Sequence, residues 1–61
     1  MQYYVLTAFN QNGKTLLDEK FEAKDDQEAK YIGQLRLQEK QLDQQTHRCN
    51  SSSGKLLLFH R

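Results

Sequence analysis

Hydrophobic and polar positions change rhythm several times along these 61 residues. The stretch "YYVLTAF" (residues 3–9) is dense in aromatic and β-branched side chains and predicts a strand. It runs into "NQNGK", where Asn12 and Gly13 supply the positive φ that a hairpin turn needs. "TLLDEKFEA" is then the returning strand. A type I turn with a bulge at Gly13 sets Phe9 against Thr15, Thr7 against Leu17 and Tyr3 against Phe21. This register predicts a core face of Tyr3, Val5, Phe9, Leu17, Phe21 and Ala23, interrupted by Thr7, Thr15 and Glu19. The opposite face then carries Tyr4, Leu6, Ala8 and Leu16.

The period lengthens in "KDDQEAKYIGQLRLQEKQLDQ". At about 100° per residue, Ala29, Tyr31, Ile32, Leu35 and Leu42 fall on one side, the pattern of an amphipathic helix of about 18 residues. Asp25 stands at the N-cap, and Glu28 three residues on completes a capping box. Asp25, Asp26 and Glu28 sit at the positive end of the macrodipole and Arg36 and Lys40 toward the other, while Asp26 and Lys30 form an i,i+4 pair. Gly33 costs about 1 kcal/mol against Ala inside a helix, which close packing would offset. Leu37 points away from the apolar stripe and reads as a lone exposed leucine, a partner contact being the sharper alternative.

Beyond the helix, "THRCN" and "KLLLFHR" flank "SSSG" as a second hairpin. Alternation puts His47, Cys49, Leu56, Leu58 and His60 on one face and Thr46, Arg48, Asn50, Leu57 and Phe59 on the other. A two-residue loop sets His47 directly opposite His60. The order is β-β-α-β-β. The expected architecture is α+β: a four-stranded antiparallel or mixed sheet with one helix packed on one face, in a single domain over residues 1–61. Its core draws on Val5, Phe9, Leu17, Phe21, Ile32, Leu35, Leu42 and one side of the last strand.

Composition narrows the class. At 36% hydrophobic and 28% charged, with mean hydropathy −0.96, the chain is globular with a polar surface. A core this small makes oligomerisation an expectation. Cys49 has no intrachain disulfide partner, the opening "MQYYVLTAF" lacks the pattern of a signal peptide, and the longest apolar run, "LLLF", is strand-sized. A cytoplasmic protein with no membrane partner is expected. The net charge of +1 is unevenly spread. Residues 1–45 hold six Lys/Arg against eight Asp/Glu, while residues 46–61 hold Arg48, Lys55 and Arg61 and no acid.

Two sets of residues carry candidate chemistry. His47, Cys49 and His60 are of the ligand types that hold zinc, with water or a carboxylate as a fourth ligand. With no C-x-x-C knuckle, no H-E-x-x-H helix and no second cysteine, structural roles stand ahead of a metal site, and no cofactor is expected. A Cys–His pair resembles an activated thiol in residue type alone. No helix N-terminus lies beside Cys49, no oxyanion donor is recognisable, and no glycine-rich phosphate loop is present, so neither enzyme activity nor a catalytic residue is expected. The carboxylates of "LLDEKFE" and "KDD" read as a solvated strand face and a helix cap. The second set is Arg48, Lys55 and Arg61, which with Phe59 and the tyrosines of the first strand form a basic, aromatic-bearing surface for nucleic acid, the rings stacking bases while the cations hold phosphates. Three cations are few and no RNP-like motif appears, so this stands as the alternative.

Two resemblances attach to these residues. "MQYYVLTAFNQNGKTLL" followed by a helix resembles the start of a ubiquitin-like β-grasp domain. The chain finishes "LLLFHR" with no Gly-Gly tail, so conjugation or sulfur-carrier activity is not implied. The whole chain, from "GKTLLDEKFEA" through "DQEAK" and "THRC" to "GKLLLFHR", is similar to the YhzD-like small bacterial proteins. That resemblance implies bacterial origin and cytosolic location and carries no functional residues. The expected function is a small non-enzymatic binding or interaction module with an apolar sheet face. It self-associates as a homodimer or takes an unknown protein partner; nucleic-acid binding and zinc binding through His47, Cys49 and His60 are the alternatives.

Overall fold

A computed structural model describes residues 1–60. Strands β1 (Gln2–Phe9) and β2 (Thr15–Ala23) form the first hairpin, helix α1 (Asp26–Glu39) follows, and β3 (Thr46–Ser51) and β4 (Leu56–His60) form the second. The sheet order is β2-β1-β3-β4 and every pairing is antiparallel, which resolves the choice between antiparallel and mixed. Helix α1 covers one face. No helix among the described residues is long and apolar enough to cross a membrane.

The first turn forms as its residues dictate. The Asn10 carbonyl accepts from the Gly13 N–H at 3.0 Å, and Gly13 has φ +81°. The Asn10 side chain accepts from the Asn12 and Lys14 N–H groups, both at 2.9 Å. Phe9 faces Thr15 as expected, but Leu16 is then left unpaired, so Ala8 faces Leu17 and Tyr4 faces Phe21. A one-residue slip exchanges the two faces of a strand. The expected core face of β1 is therefore corrected: Tyr4, Leu6 and Ala8 are fully buried with Leu17, Phe21 and Ala23, whereas Tyr3 and Val5 lie on the uncovered face.

The second hairpin repeats the first residue for residue. Ser51 and Gly54 bond as Asn10 and Gly13 do, Gly54 has φ +92°, and Leu57 is bulged out as Leu16 is. Leu56 consequently pairs with Asn50 and moves to the Arg48–Phe59 face, away from the His47 side where alternation put it. The two slips cancel farther along, so His47 does face His60. Thr7 and Arg48 are counterparts in the two hairpins and pair with each other. The four strands thus have an approximate two-fold axis through that pair, broken by α1.

The helix caps as expected at its start: the Asp25 carboxylate accepts from the Glu28 N–H at 2.8 Å, and Glu28 reaches back to the Lys24 N–H at 3.0 Å. It ends sooner than expected. Gln41 adopts φ +58°, and the N–H groups of Gln41 and Leu42 bond to the carbonyls of Gln38 and Leu37, a Schellman turn closed by the Leu37–Leu42 pair. The buried face is Ala29, Gly33 and Leu37, flanked by Ile32, while Tyr31 and Leu35 are exposed. The reading of Leu37 as exposed is corrected: it is 1% exposed. Gly33 fulfils the close-packing expectation, since a Cβ there would meet Leu58 Cδ1 at 3.1 Å. Both halves of α1 are tied to the sheet. Asp26 accepts from the Tyr4 hydroxyl at 2.9 Å and the Lys55 ammonium at 3.1 Å. Arg36 pairs with Glu19 at 3.3 Å and lies 5.1 Å over the Phe21 ring.

Candidate functional site

Beside the C-terminal half of α1, the helix-side face of β3 and β4 opens into a cleft of about 360 Å³. Leu37 and Leu58 line its apolar part, Gln34, Gln38 and Asp43 its polar part, and His47 and His60 close it with Phe59 at the same edge. The two imidazoles stack across β3 and β4 with centroids 5.4 Å apart and planes 21° from parallel. Nδ1 of His47 lies 2.9 Å from the Gln45 carbonyl oxygen. A carbonyl only accepts, so Nδ1 donates, and in the neutral ring Nε2 is the nitrogen that carries the lone pair.

Cys49 shares the strand face of these histidines but not their cleft. It is fully buried opposite Leu58, its Sγ 3.9 Å from where a Cβ on Gly33 would stand. Burial pushes its thiol above the ordinary range, so the neutral form is favoured. The three candidate ligands therefore do not converge: among the described residues, no three His, Cys, Asp or Glu side chains group as a metal site.

The basic candidates separate as well. Arg48 lies on the uncovered sheet face, directly across from Phe59. Lys55 is drawn to the helix side by Asp26, and Arg61 lies outside the described residues. Around Arg48, the uncovered face carries Tyr3, Val5, Leu56 and Phe59, all exposed, with Phe9 half-buried. Its β2 margin is polar, where Asp18, Lys20 and Glu22 alternate and the Lys20 ammonium sits 4.8 Å over the Tyr3 ring.

The match to known proteins covers this whole assembly. The YhzD-like protein family matches residues 1–61, every element that builds the sheet, the helix and the cleft. The chain belongs to the YhzD-like family. Uncharacterized protein YhzD of Bacillus subtilis (strain 168) is 48% identical over 61 residues, spanning 100% of both chains. No solved structure matches.

Sequence reasoning placed His47 opposite His60 and Arg48 beside Phe59, but it missed Gln34, Gln38 and Asp43. The two glutamines flank Leu37 on the helix surface, so they join the cleft only once Leu37 is turned inward. The usable signal was Ala29-x-x-x-Gly33-x-x-x-Leu37, a row at i, i+4, i+8 whose small members weigh little in a hydropathy pattern.

Proposed function

We propose that this chain is a small, non-enzymatic cytoplasmic interaction module that self-associates as a homodimer through the sheet face that α1 leaves open. The observation that supports this most directly is the apolar area on that face, where Tyr3 is 47%, Val5 36%, Leu56 52% and Phe59 58% exposed. These residues form two apolar pairs, Tyr3 and Val5 on β1 and Leu56 and Phe59 on β4, flanking Arg48 and Asn50 of β3, and exposed apolar side chains gathered on one uncovered face are typical of contact sites. A second copy suits it by charge. A two-fold axis parallel to the strands lays the β2 flank of one copy, with Asp18 and Glu22, over the β3–β4 flank of the other, with Arg48. The edges differ in the same sense, since β2 is guarded by alternating charges whereas β4 reads "LLLFH". Four strands about 4.8 Å apart and about six residues long present roughly 400 Å² in projection per copy. That is a small interface, so micromolar dissociation is expected. Sedimentation velocity from about 1 to 500 μM should show a monomer–dimer equilibrium that Phe59→Glu abolishes with the circular dichroism unchanged. A single-copy mass at every concentration would overturn the reading.

A second reading rests on Arg48 standing beside Phe59 on the open face, a cation and a stacking ring at one spot. It supports binding of single-stranded nucleic acid with affinity that falls steeply with salt. Fluorescence anisotropy with short labelled RNA and DNA tests it: Arg48→Ala should weaken binding, and Lys55→Ala, whose ammonium is engaged by Asp26, should weaken it less. Absent or salt-insensitive binding would remove it.

A further inference from the structure

We propose that His47 and His60 form a two-histidine site, in the cleft beside α1, for a divalent transition-metal cation of the imidazole-binding class: copper(II), nickel(II) or zinc(II). The proposal concerns the helix-side cleft and does not depend on the open-face reading. Direct cross-strand pairing brings the two side chains out of the sheet side by side, and their rings face each other at 5.4 Å between centroids. A metal at about 2.0–2.1 Å from one nitrogen of each ring needs those nitrogens about 3 Å apart, so binding requires the two rings to turn from their stacked arrangement toward a shared point. His47 is already oriented as ligating histidines are: its Nδ1 proton is held by the Gln45 carbonyl at 2.9 Å, leaving Nε2 as the donor.

The surroundings favour a cation. Asp43 lines the cleft, and neither lysine nor arginine does so among the described residues. The Gln34 and Gln38 amides line the same space and offer hydrogen bonds to water in the remaining coordination positions. Cys49 is outside the set, buried beneath Gly33. Two imidazoles plus water make an open, nitrogen-rich site whose affinity should follow the general order with copper(II) tightest, and which should ignore magnesium, an oxygen-seeking ion.

The test uses the full chain without a histidine tag, freed of metal by chelator and titrated calorimetrically with copper(II), nickel(II), zinc(II) or magnesium salts. One copper(II) per chain is expected, bound more tightly than nickel(II) or zinc(II), with no heat from magnesium. His47→Gln and His60→Gln should each weaken copper(II) at least tenfold while keeping the native circular dichroism, and Cys49→Ser should leave affinity within about twofold. Absence of binding to the wild type, or equal binding by both histidine variants, would overturn the proposal. So would loss of the metal in a folded Cys49→Ser protein, because the site would then be the three-residue one.

Discussion

Leu35 and Leu37 are the same residue type two positions apart on one helix, and their environments are opposite: 38% against 1% exposed. Leu37 lies over the sheet in the row begun by Ala29 and Gly33, whose small side chains let the helix backbone approach Leu58 and Leu6. Deleting a buried leucine removes its transfer free energy and leaves a cavity. Leu37→Ala should therefore cost about 2–5 kcal/mol, and Leu35→Ala less than about 1 kcal/mol, being half in water already. Urea denaturation of both variants checks this; equal losses would mean that the buried face of α1 is wrongly assigned. The sequence pattern favoured Leu35 because Tyr31, Ile32, Leu35 and Leu42 outweigh an alanine and a glycine in any hydropathy count. Small residues carry little hydropathy even where they mark a close contact, so the Ala29–Gly33–Leu37 row is outweighed unless its spacing is read apart from its hydropathy.

The hairpins show which features of an element announce themselves. Both turns have chemical markers, a side-chain acceptor three residues before a glycine at positive φ, and both form where those markers stand. The bulges at Leu16 and Leu57 have none: each interrupts an apolar run in which either register offers a leucine to the core. A slip there leaves the elements and their order intact yet exchanges the core face of β1, putting Tyr4 and Leu6 where Tyr3 and Val5 were expected. The candidate site survived because the slips at Gly54 and Leu57 restore the His47–His60 pairing. The end of α1 was hidden for a related reason. Its Schellman turn uses Gln41 at φ +58°, a conformation usually marked by glycine. Gln41→Gly should remove that strain and stabilise the protein by about 1 kcal/mol, against the general rule that glycine weakens helices. Thermal unfolding would register a higher midpoint; a lower one would show that the Gln41 side chain contributes more than its backbone costs.

At the scale of the molecule, Asp26 joins three parts of the chain: the first turn of α1, Tyr4 in β1, and Lys55 at the start of the second hairpin's return. The two hydrogen bonds, from Lys55 and then from Tyr4, hold its carboxyl below the usual range of 3.8 against the opposing effect of burial. A group depressed on folding stabilises the protein above its unfolded value, and that contribution is lost as pH falls through the folded value. Tyr4 has the opposite sign. Burial first, and then its hydrogen bond to Asp26, pushes the phenol from 10.0 up to about 12. The folded state therefore prefers the neutral ring; its contribution is complete below pH 10 and disappears as pH rises from there toward about 12. One junction thus helps to set both edges of the stability profile. Urea midpoints measured across pH should show Lys55→Met softening the acid edge, since the larger cause of the Asp26 depression is gone. Tyr4→Phe should flatten the alkaline edge between pH 10 and about 12 while lowering stability at neutrality, because the hydroxyl that Asp26 accepts from is lost. Lys55→Met tests the same junction from the other side: if it leaves the acid edge unchanged, the ion pair contributes nothing that solvent does not already supply, as many half-exposed pairs do. An effect confined to the acid edge would instead show that the first turn of α1 and the second hairpin are held together through Asp26.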